Sequence, residues 1–454
     1  MAKKKTTKSK DARLANIMKV AQTAHTRSVG VGGRVWDPYL SHVRALPLPG
    51  LGLMTMLGFT GLRDSCTVLI YGAPGSHKSS FGIEVINWGY KYGVAGGIID
   101  CENKAAVDIA LGTLTETTLW TPGQMVMSTA TSVEQAQDEL TNLVKFCHEI
   151  NDGLDRDYHI PFIGLVDPLA GVPAEETVKV IDKQGHGDKG HGGRTEANIW
   201  TSYLKYHEAQ ILNLPFISVF VNHVKQRQKK LGNVAVTENY NPGGVSQNYA
   251  TTIAFECKAG KAFRSEAHGG KSYNEVWIKC TKNSRGPTGG STCVRKYWRP
   301  MKDGTTKFWW DWERNTAETL AAYKSNHPVH QVCAVTKHTN DKYSCKTLGL
   351  KDVSPTEIGA AIHADSELMD NIIKALELRK LTEFMPLSDE DLAQMNELAH
   401  KEHMKYLKEA GVDPTLEAPI SEDDSEPVVE ETEEADDTDD GVLDALDDLV
   451  NLDG

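Results

Sequence analysis

A turn between Gly72 and Ser79 carries the residue types that bind phosphate. It reads GAPGSHKS, against the phosphate-loop pattern G-x-x-x-x-G-K-[ST], so His77 stands where the second glycine is usual. In such a turn the backbone N–H groups surround the anion, Lys78 adds a positive charge, and the Ser79 hydroxyl holds Mg²⁺. A histidine at position 77 removes none of these groups. The residues predicted to contact the nucleotide are Gly72, Ala73, Pro74, Gly75, Ser76, His77, Lys78, Ser79 and Ser80.

Three apolar runs farther along the chain end in side chains suited to nucleotide hydrolysis. IGLVD ends at Asp167, a candidate Walker-B carboxylate for Mg²⁺. IIDCEN carries Asp100 and Glu102, and a carboxylate there could orient or deprotonate the attacking water. VFVNHV carries Asn222 or His223 as the group that senses the γ-phosphate. The alternative interpretation is a ligand-free glycine turn, with solvated loop charges and an aspartate that caps a helix.

The elements that must position these residues alternate between strand and helix. A buried strand at Val68–Tyr71 precedes a helix that begins near Lys78, and later apolar runs alternate with amphipathic segments. This order predicts an α/β fold with a doubly wound, mostly parallel sheet, and ligands bind at the carboxyl ends of such strands. After the fourth strand, three segments of alternating pattern predict an antiparallel extension.

Length and charge divide the 454 residues into four predicted regions. These are a basic N-terminal arm with an oligomerisation helix (1–44), an α/β core (45–315), a small, mainly helical domain (316–416) and an acidic disordered tail (417–454). The tail holds 17 Asp and Glu residues and no Lys or Arg; removing them from the net charge of −13 leaves +4 for the body. A basic body favours a polyanionic partner, and the tail either competes for that surface or serves only solubility.

Composition also limits the compartment and the partners. No run of 18 apolar residues occurs, and the basic N-terminus lacks the apolar segment of a secretory signal, so no membrane partner is expected. The eight cysteines are scattered without a C-x-x-C pair, which predicts reduced, buried thiols and no structural zinc. We expect a cytoplasmic protein.

In order and spacing these motifs resemble the RecA family of recombinases, most closely its tailed-phage branch. The leucine-rich lead-in LPGLGLMTMLGFTGLRDS is similar to the RecA segment before the phosphate loop, and phage recombinases likewise lack the glycine before the lysine. The resemblance covers about residues 45–300 and implies a RecA-like core. It assigns Glu102 as the catalytic glutamate and His223 as the residue that couples ATP to DNA.

The resemblance also implies two DNA-binding loops at the nucleotide edge. Residues 171–196 match the first and residues 226–247 the second, and their glycine-rich, polar composition predicts long mobile loops. Basic side chains there would meet phosphates, and glycines would let the backbone approach the strand. Ordinary solvated loops are the alternative. The predicted DNA-binding residues are Lys183, Lys189, Arg194, Arg227, Lys229, Lys230, Gly243 and Gly244.

The segment IKCTKNSRGP resembles the strand that reaches across a recombinase filament with two basic residues. Lys282 matches the first of them. Ser284 falls on the second position, and Arg285 follows one step later. The resemblance therefore implies that Lys282 and Arg285 contact the ATP of the neighbouring subunit.

Together these features predict an ATP- and Mg²⁺-dependent DNA strand-exchange recombinase. It would form helical filaments on single-stranded DNA and pair that strand with homologous duplex, in bacterial or phage-infected host cytoplasm. Single-strand-binding or mediator proteins are candidate partners of the acidic tail. The alternatives are a replicative DNA helicase with the same core and a non-hydrolytic, nucleotide-gated DNA-binding mediator.

Overall fold

The computed structural model describes most of the region between the N-terminal arm and the acidic tail. The described residues are 44–89, 92–103, 125–154, 158–184, 192–231, 234–240, 249–265, 270–300, 306–388 and five positions between 390 and 397. For residues 180–184, 192–194, 225–231 and 234–240 only the backbone is described. The predicted N-terminal helix and the acidic tail lie outside these ranges.

The described chain contains seventeen strands and nine helices. The strands are β1 (Arg44–Pro47), β2 (Gly61–Arg63), β3 (Cys66–Gly72), β4 (Ala95–Asp100), β5 (Met125–Thr129), β6 (Phe162–Asp167), β7 (Phe216–His223), β8 (Lys225–Leu231), β9 (Val234–Tyr240), β10 (Ile253–Phe263), β11 (Ser272–Asn283), β12 (Ser291–Pro300), β13 (Thr306–Trp310), β14 (Val335–Lys337), β15 (Tyr343–Cys345), β16 (Leu350–Val353) and β17 (Thr382–Glu383). The helices are α1 (Leu51–Leu57), α2 (Lys78–Asn87), α3 (Val133–Asn151), α4 (Glu175–Gln184), α5 (Gly192–Ile211), α6 (Trp312–Ala322), α7 (Val329–Val332), α8 (Pro355–Ala364) and α9 (Ser366–Ala375).

Nine strands form one mixed sheet in the order β13-β12-β11-β10-β3-β7-β6-β4-β5. The strands from β10 to β5 are parallel to one another, and β11, β12 and β13 continue the sheet antiparallel. β6 is buried along its whole length and β3 and β7 nearly so, as expected for continuous apolar runs covered on both faces. The predicted α/β class, with a mostly parallel sheet and an antiparallel extension, is confirmed. The edge strands β5 and β13 were not predicted.

Helices cover both faces of the parallel part of the sheet. On one face α2 packs with α1 and α6, and the ring of Phe81 lies 5.9 Å from that of Trp310. On the other face α3 and α5 form a second apolar cluster that includes Leu140 and Trp200. Burial of these two faces fixes the sheet and holds its carboxyl edge in place.

The region after residue 316 contains strands as well as helices. β14, β15 and β16 form a small antiparallel sheet, which the prediction of a mainly helical region did not include. Strands of three or four residues are too short to give a recognisable alternation in the sequence. Side chains such as Tyr343 and Ile358 belong to the same apolar cluster as α2, and α6 continues through the predicted boundary at 315.

The prediction of a mobile loop across residues 171–196 is wrong for the part that the structure describes. α4 occupies much of this segment and α5 begins before its end. Glu175 and Glu176 lie in the first turn of α4, where carboxylates interact favourably with the helix N-terminus. Val178 and Ile181 have the spacing of one helical face. The glycines that follow obscured this pattern.

The prediction of a loop across residues 226–247 is also wrong in part. β8 and β9 pair antiparallel, with Lys225 opposite Tyr240, so the segment contains a two-stranded hairpin. In the sequence Gly232 and Asn233 separate the two strands. A Gly-Asn pair between two extended runs is a hairpin signal, and the polar composition had concealed it.

All eight cysteines lie within the described residues and are free thiols, seven of them buried, as predicted. Within the described segments, no helix combines the length and the apolar character needed to cross a membrane.

Candidate nucleotide-binding site

Four parallel strands bring the predicted residues to one edge of the sheet. β3, β7, β6 and β4 are consecutive neighbours in the sheet. Their register places Gly72 opposite His223, Asp100 opposite Asp167 and Val166 opposite Phe220, so β3 and β7 extend two residues farther at this edge than β4 and β6. The phosphate-loop sequence follows the first of these ends, and the candidate catalytic side chains follow the others.

The loop backbone adopts left-handed conformations at two positions. Gly75 has φ 75°, and His77 has φ 63° at the N-cap of α2. Histidine is one of the residues that tolerates this region, so His77 holds the conformation that a glycine would adopt. Gly72 is required for a different reason, because a Cβ there would lie 2.3 Å from the carbonyl oxygen of Cys257. The altered motif therefore keeps a tightly turned backbone.

Lys78 begins α2 and folds back onto the loop. Its side chain is buried, and Nζ donates a hydrogen bond to the carbonyl oxygen of Ala73 at 2.7 Å. The Ser76 hydroxyl donates to the same oxygen at 2.8 Å. Burial lowers the pKa of Lys78, and the negative charge of Asp167 opposes that change. The first N–H groups of α2 have no acceptor within the helix and can donate to an anion.

Asp167 lies beside Ser79, as the predicted magnesium site requires. The Ser79 hydroxyl donates a hydrogen bond to the Asp167 carboxylate. Burial, followed by the charges of Glu102 and Asp100, raises the pKa of Asp167 to about 6, against the effect of the Ser79 hydrogen bond. A cation would favour the ionised carboxylate.

The donor set at this point fits Mg²⁺. Among the described residues, no group of three or more His, Cys, Asp and Glu side chains is placed to hold a metal ion. Ser79 and Asp167 supply two oxygen donors, and protein sites for Mg²⁺ commonly complete the shell with waters and substrate phosphates.

Glu102 and His223 contact each other across the sheet edge. His223 Nε2 lies 3.0 Å from Glu102 Oε1, and each side chain is about one-third exposed. Two buried neighbours hold this pair. Asp100 Oδ1 accepts the backbone N–H of Glu102 at 3.0 Å, and Asn222 Oδ1 accepts that of His223 at 2.9 Å. Asp100 and Asn222, which the sequence offered as alternative functional groups, thus have a supporting role in this structure.

The structure adds a residue that sequence reasoning missed. Lys296 on β12 is 3% exposed, and its Nζ donates to Ser80 Oγ at 2.9 Å. Burial and then the charges of Lys296, Arg264 and Lys78 lower the pKa of His77 to about 4. Lys296 shares a strand face with the buried Val294, and a lysine on an apolar face was the available signal.

The contacts described for Lys282 and Arg285 involve residues outside the phosphate loop. Lys282 Nζ donates to the carbonyl oxygen of Tyr249 at 3.4 Å and interacts with the charge of Glu208 on α5. Arg285 follows the end of β11, and its backbone N–H donates to Asn283 Oδ1. Their contact with a neighbouring subunit stays a prediction.

The predicted DNA-binding residues lie in regular elements rather than in loops where the structure describes them. The backbone of Lys183 lies in α4 and that of Arg194 in α5. Arg227, Lys229 and Lys230 lie in β8. Lys189, Gly243 and Gly244 lie outside the described residues.

Comparison with models of known protein families gives no match, and comparison with curated proteins gives none either. The geometry of the sheet edge and the sequence motifs therefore carry the functional argument.

Proposed function

We propose that this chain is an ATP-dependent recombinase with a RecA-like core. It assembles as a filament on single-stranded DNA and promotes pairing with homologous duplex DNA. The observation that carries the proposal is the convergence at one sheet edge of the phosphate loop, the Ser79–Asp167 pair and the Glu102–His223 pair. The four residues of these pairs were predicted from four separate motifs, and a solvated glycine turn gives no reason for them to meet.

Each group in this arrangement has a role in ATP hydrolysis. The amides from Gly75 to Ser79 and the Lys78 ammonium bind the phosphates. Glu102 is partly exposed and can orient the attacking water or accept its proton. Ser79 and Asp167 would hold Mg²⁺, which when bound would neutralise charge on the phosphate oxygens.

The same arrangement offers a route from nucleotide to DNA. His223 is the last residue of β7, and β8 begins two residues later at Lys225. A change in the contact between His223 and Glu102 therefore acts at the base of the β8–β9 hairpin. This supports a coupling role for His223, in which the nucleotide state sets the position of a basic hairpin.

The charge distribution supports a polyanionic partner. Residues 253–310, which contain β10 to β13, hold twelve Lys and Arg residues against four Asp and Glu residues. This excess of eight positive charges contrasts with the net charge of −13 for the whole chain. Such a local excess of Lys and Arg favours contact with the phosphate backbone of a nucleic acid.

Phosphate release with and without single-stranded DNA tests the proposal. We expect wild type to hydrolyse ATP faster when the DNA is present. Lys78→Ala should abolish turnover, whereas Lys145→Ala, which alters an exposed lysine on α3, should match wild type. DNA binding without phosphate release would favour the non-hydrolytic mediator. Electron microscopy separates helical filaments from the closed rings of a helicase.

A further inference from the structure

A lysine outside the phosphate loop is buried against the start of α2. Lys296 lies on β12, in the antiparallel extension, and is 3% exposed. Its Nζ donates to Ser80 Oγ at 2.9 Å and lies 4.9 Å from the ring centre of Phe308. Lysine is almost never fully buried unless its charge is compensated or used, because desolvation of an ammonium group is costly.

Ser80 connects Lys296 to the anion-binding turn. It is the third residue of α2, directly after Lys78 and Ser79, and it is itself buried. Its backbone N–H is one of the first four in the helix, which have no acceptor within it. Lys296 therefore fixes a side chain in the same turn whose amides would donate to phosphate.

The positive charge of Lys296 also reaches the loop. It is the largest charge effect on His77, ahead of Arg264 and Lys78. Because the site is poorly solvated, a fixed cation there interacts with a bound anion more strongly than an exposed lysine would. The effect should grow with the negative charge of the ligand.

We propose that Lys296 is a second lysine of the phosphate site, a positioning residue that orients the first turn of α2 through Ser80 and favours a triphosphate over a diphosphate. The inference rests on the proposed nucleotide-binding function. It assigns a role in nucleotide binding to a residue of the antiparallel extension that lies more than two hundred positions from the loop in sequence.

Calorimetric binding of ATP and ADP to the full chain, each with Mg²⁺, tests the inference. Lys296→Met removes the charge and keeps an apolar stem. We expect it to weaken ATP binding about tenfold, because the site loses a positive charge and the first turn of α2 loses its contact through Ser80, with a smaller loss for ADP. Lys296→Arg should recover most of the ATP affinity. Lys145→Met makes the same substitution at an exposed position and should leave both affinities unchanged.

The outcomes separate the inference from the function on which it rests. Wild-type affinity in Lys296→Met, or an equal loss for ATP and ADP, overturns the role of Lys296 while nucleotide binding stands. Absence of nucleotide binding in wild type overturns the proposed function and the inference with it. If circular dichroism shows that Lys296→Met does not fold, the same two affinities are measured for Ser80→Ala. An unchanged ratio of ATP to ADP affinity in that variant contradicts the proposal.

Discussion

His223 Nε2 lies 3.0 Å from Glu102 Oε1, although 121 positions separate the two residues in sequence. They stand at the ends of β7 and β4, and β6 lies between those strands. When the Glu102 carboxylate separates from the His223 imidazole, it can instead accept a hydrogen bond from a water near the phosphate loop. The contact thus connects the candidate catalytic group to the residue that leads into the β8–β9 hairpin.

Glu102→Gln should separate nucleotide binding from hydrolysis. The amide keeps the size of the side chain but cannot accept a proton from water, so we expect phosphate release to fall about 100-fold or more. The dissociation constant for ATP should stay close to that of wild type, because Glu102 does not belong to the loop that binds the phosphates. Steady-state phosphate release and calorimetry measure the two quantities.

Glu149→Gln is the matched control for this variant, since Glu149 is exposed on α3. It should hydrolyse ATP at the wild-type rate. Equal turnover by Glu102→Gln and wild type would remove Glu102 from the catalytic role.

His223→Ala should uncouple hydrolysis from DNA. It removes the contact with Glu102 but leaves the phosphate loop and the Ser79–Asp167 pair intact. We expect basal phosphate release to persist and its stimulation by single-stranded DNA to be lost. His148→Ala alters an exposed histidine of α3 and should keep full stimulation. Normal stimulation in His223→Ala would show that the hairpin receives its signal elsewhere.

Local patterns were sufficient to predict the sheet edge. Continuous apolar runs ending in Asp167 and His223 identified buried parallel strands, because only strands covered on both faces are apolar throughout. Parallel strands present their carboxyl ends at one edge of the sheet, so assigning these runs as parallel strands was enough to predict that their terminal side chains lie close together. The hydrogen bonds from the backbone N–H groups of Glu102 and His223 to Asp100 and Asn222 depend on backbone geometry that residue spacing does not reveal.

Composition was a poorer guide than periodicity in the two segments predicted as loops. Glycines near residue 190 outweighed the helical spacing of Val178 and Ile181 in α4. Lys296 could not be connected to Ser80 from sequence, because that contact depends on how the antiparallel extension packs on α2. Contacts between distant elements of this kind are set by tertiary packing.

His207 should make the fold less stable in mild acid. It is fully buried on α5, its Nε2 lies 2.6 Å from Ser218 Oγ, and burial lowers its pKa from 6.5 to about 4. Between these pH values the unfolded chain takes up a proton that the folded chain does not, so the free energy of unfolding falls as pH falls. The full effect is about 3 kcal/mol.

Urea unfolding at about pH 7 and about pH 5 measures this effect. His207→Gln should reduce the difference between the two pH values, whereas His148→Gln, at an exposed site, should leave it unchanged. An identical pH dependence in wild type and His207→Gln would contradict the assignment.

Removal of the acidic tail should strengthen DNA binding at low salt. Truncation before Glu417 deletes 17 acidic residues and no basic ones. If the tail competes with DNA for the basic residues of the body, its removal leaves those residues available to DNA. We expect about tenfold tighter binding of a labelled single-stranded oligonucleotide at low salt, and no difference at high salt, because salt screens the attraction. Fluorescence anisotropy measures the affinity. A Gly/Ser segment of equal length is the control, and unchanged affinity at low salt would rule out competition.

The central claim is that the turn from Gly72 to Ser79 binds a triphosphate although His77 occupies a glycine position. A crystal structure with Mg²⁺ and a non-hydrolysable ATP analogue tests it most directly. We expect the phosphates within hydrogen-bond distance of the amides of Gly75 to Ser79 and of Lys78 Nζ, with Asp167 and Glu102 facing them. A nucleotide bound elsewhere, or a turn that stays empty at saturating analogue, would contradict the claim.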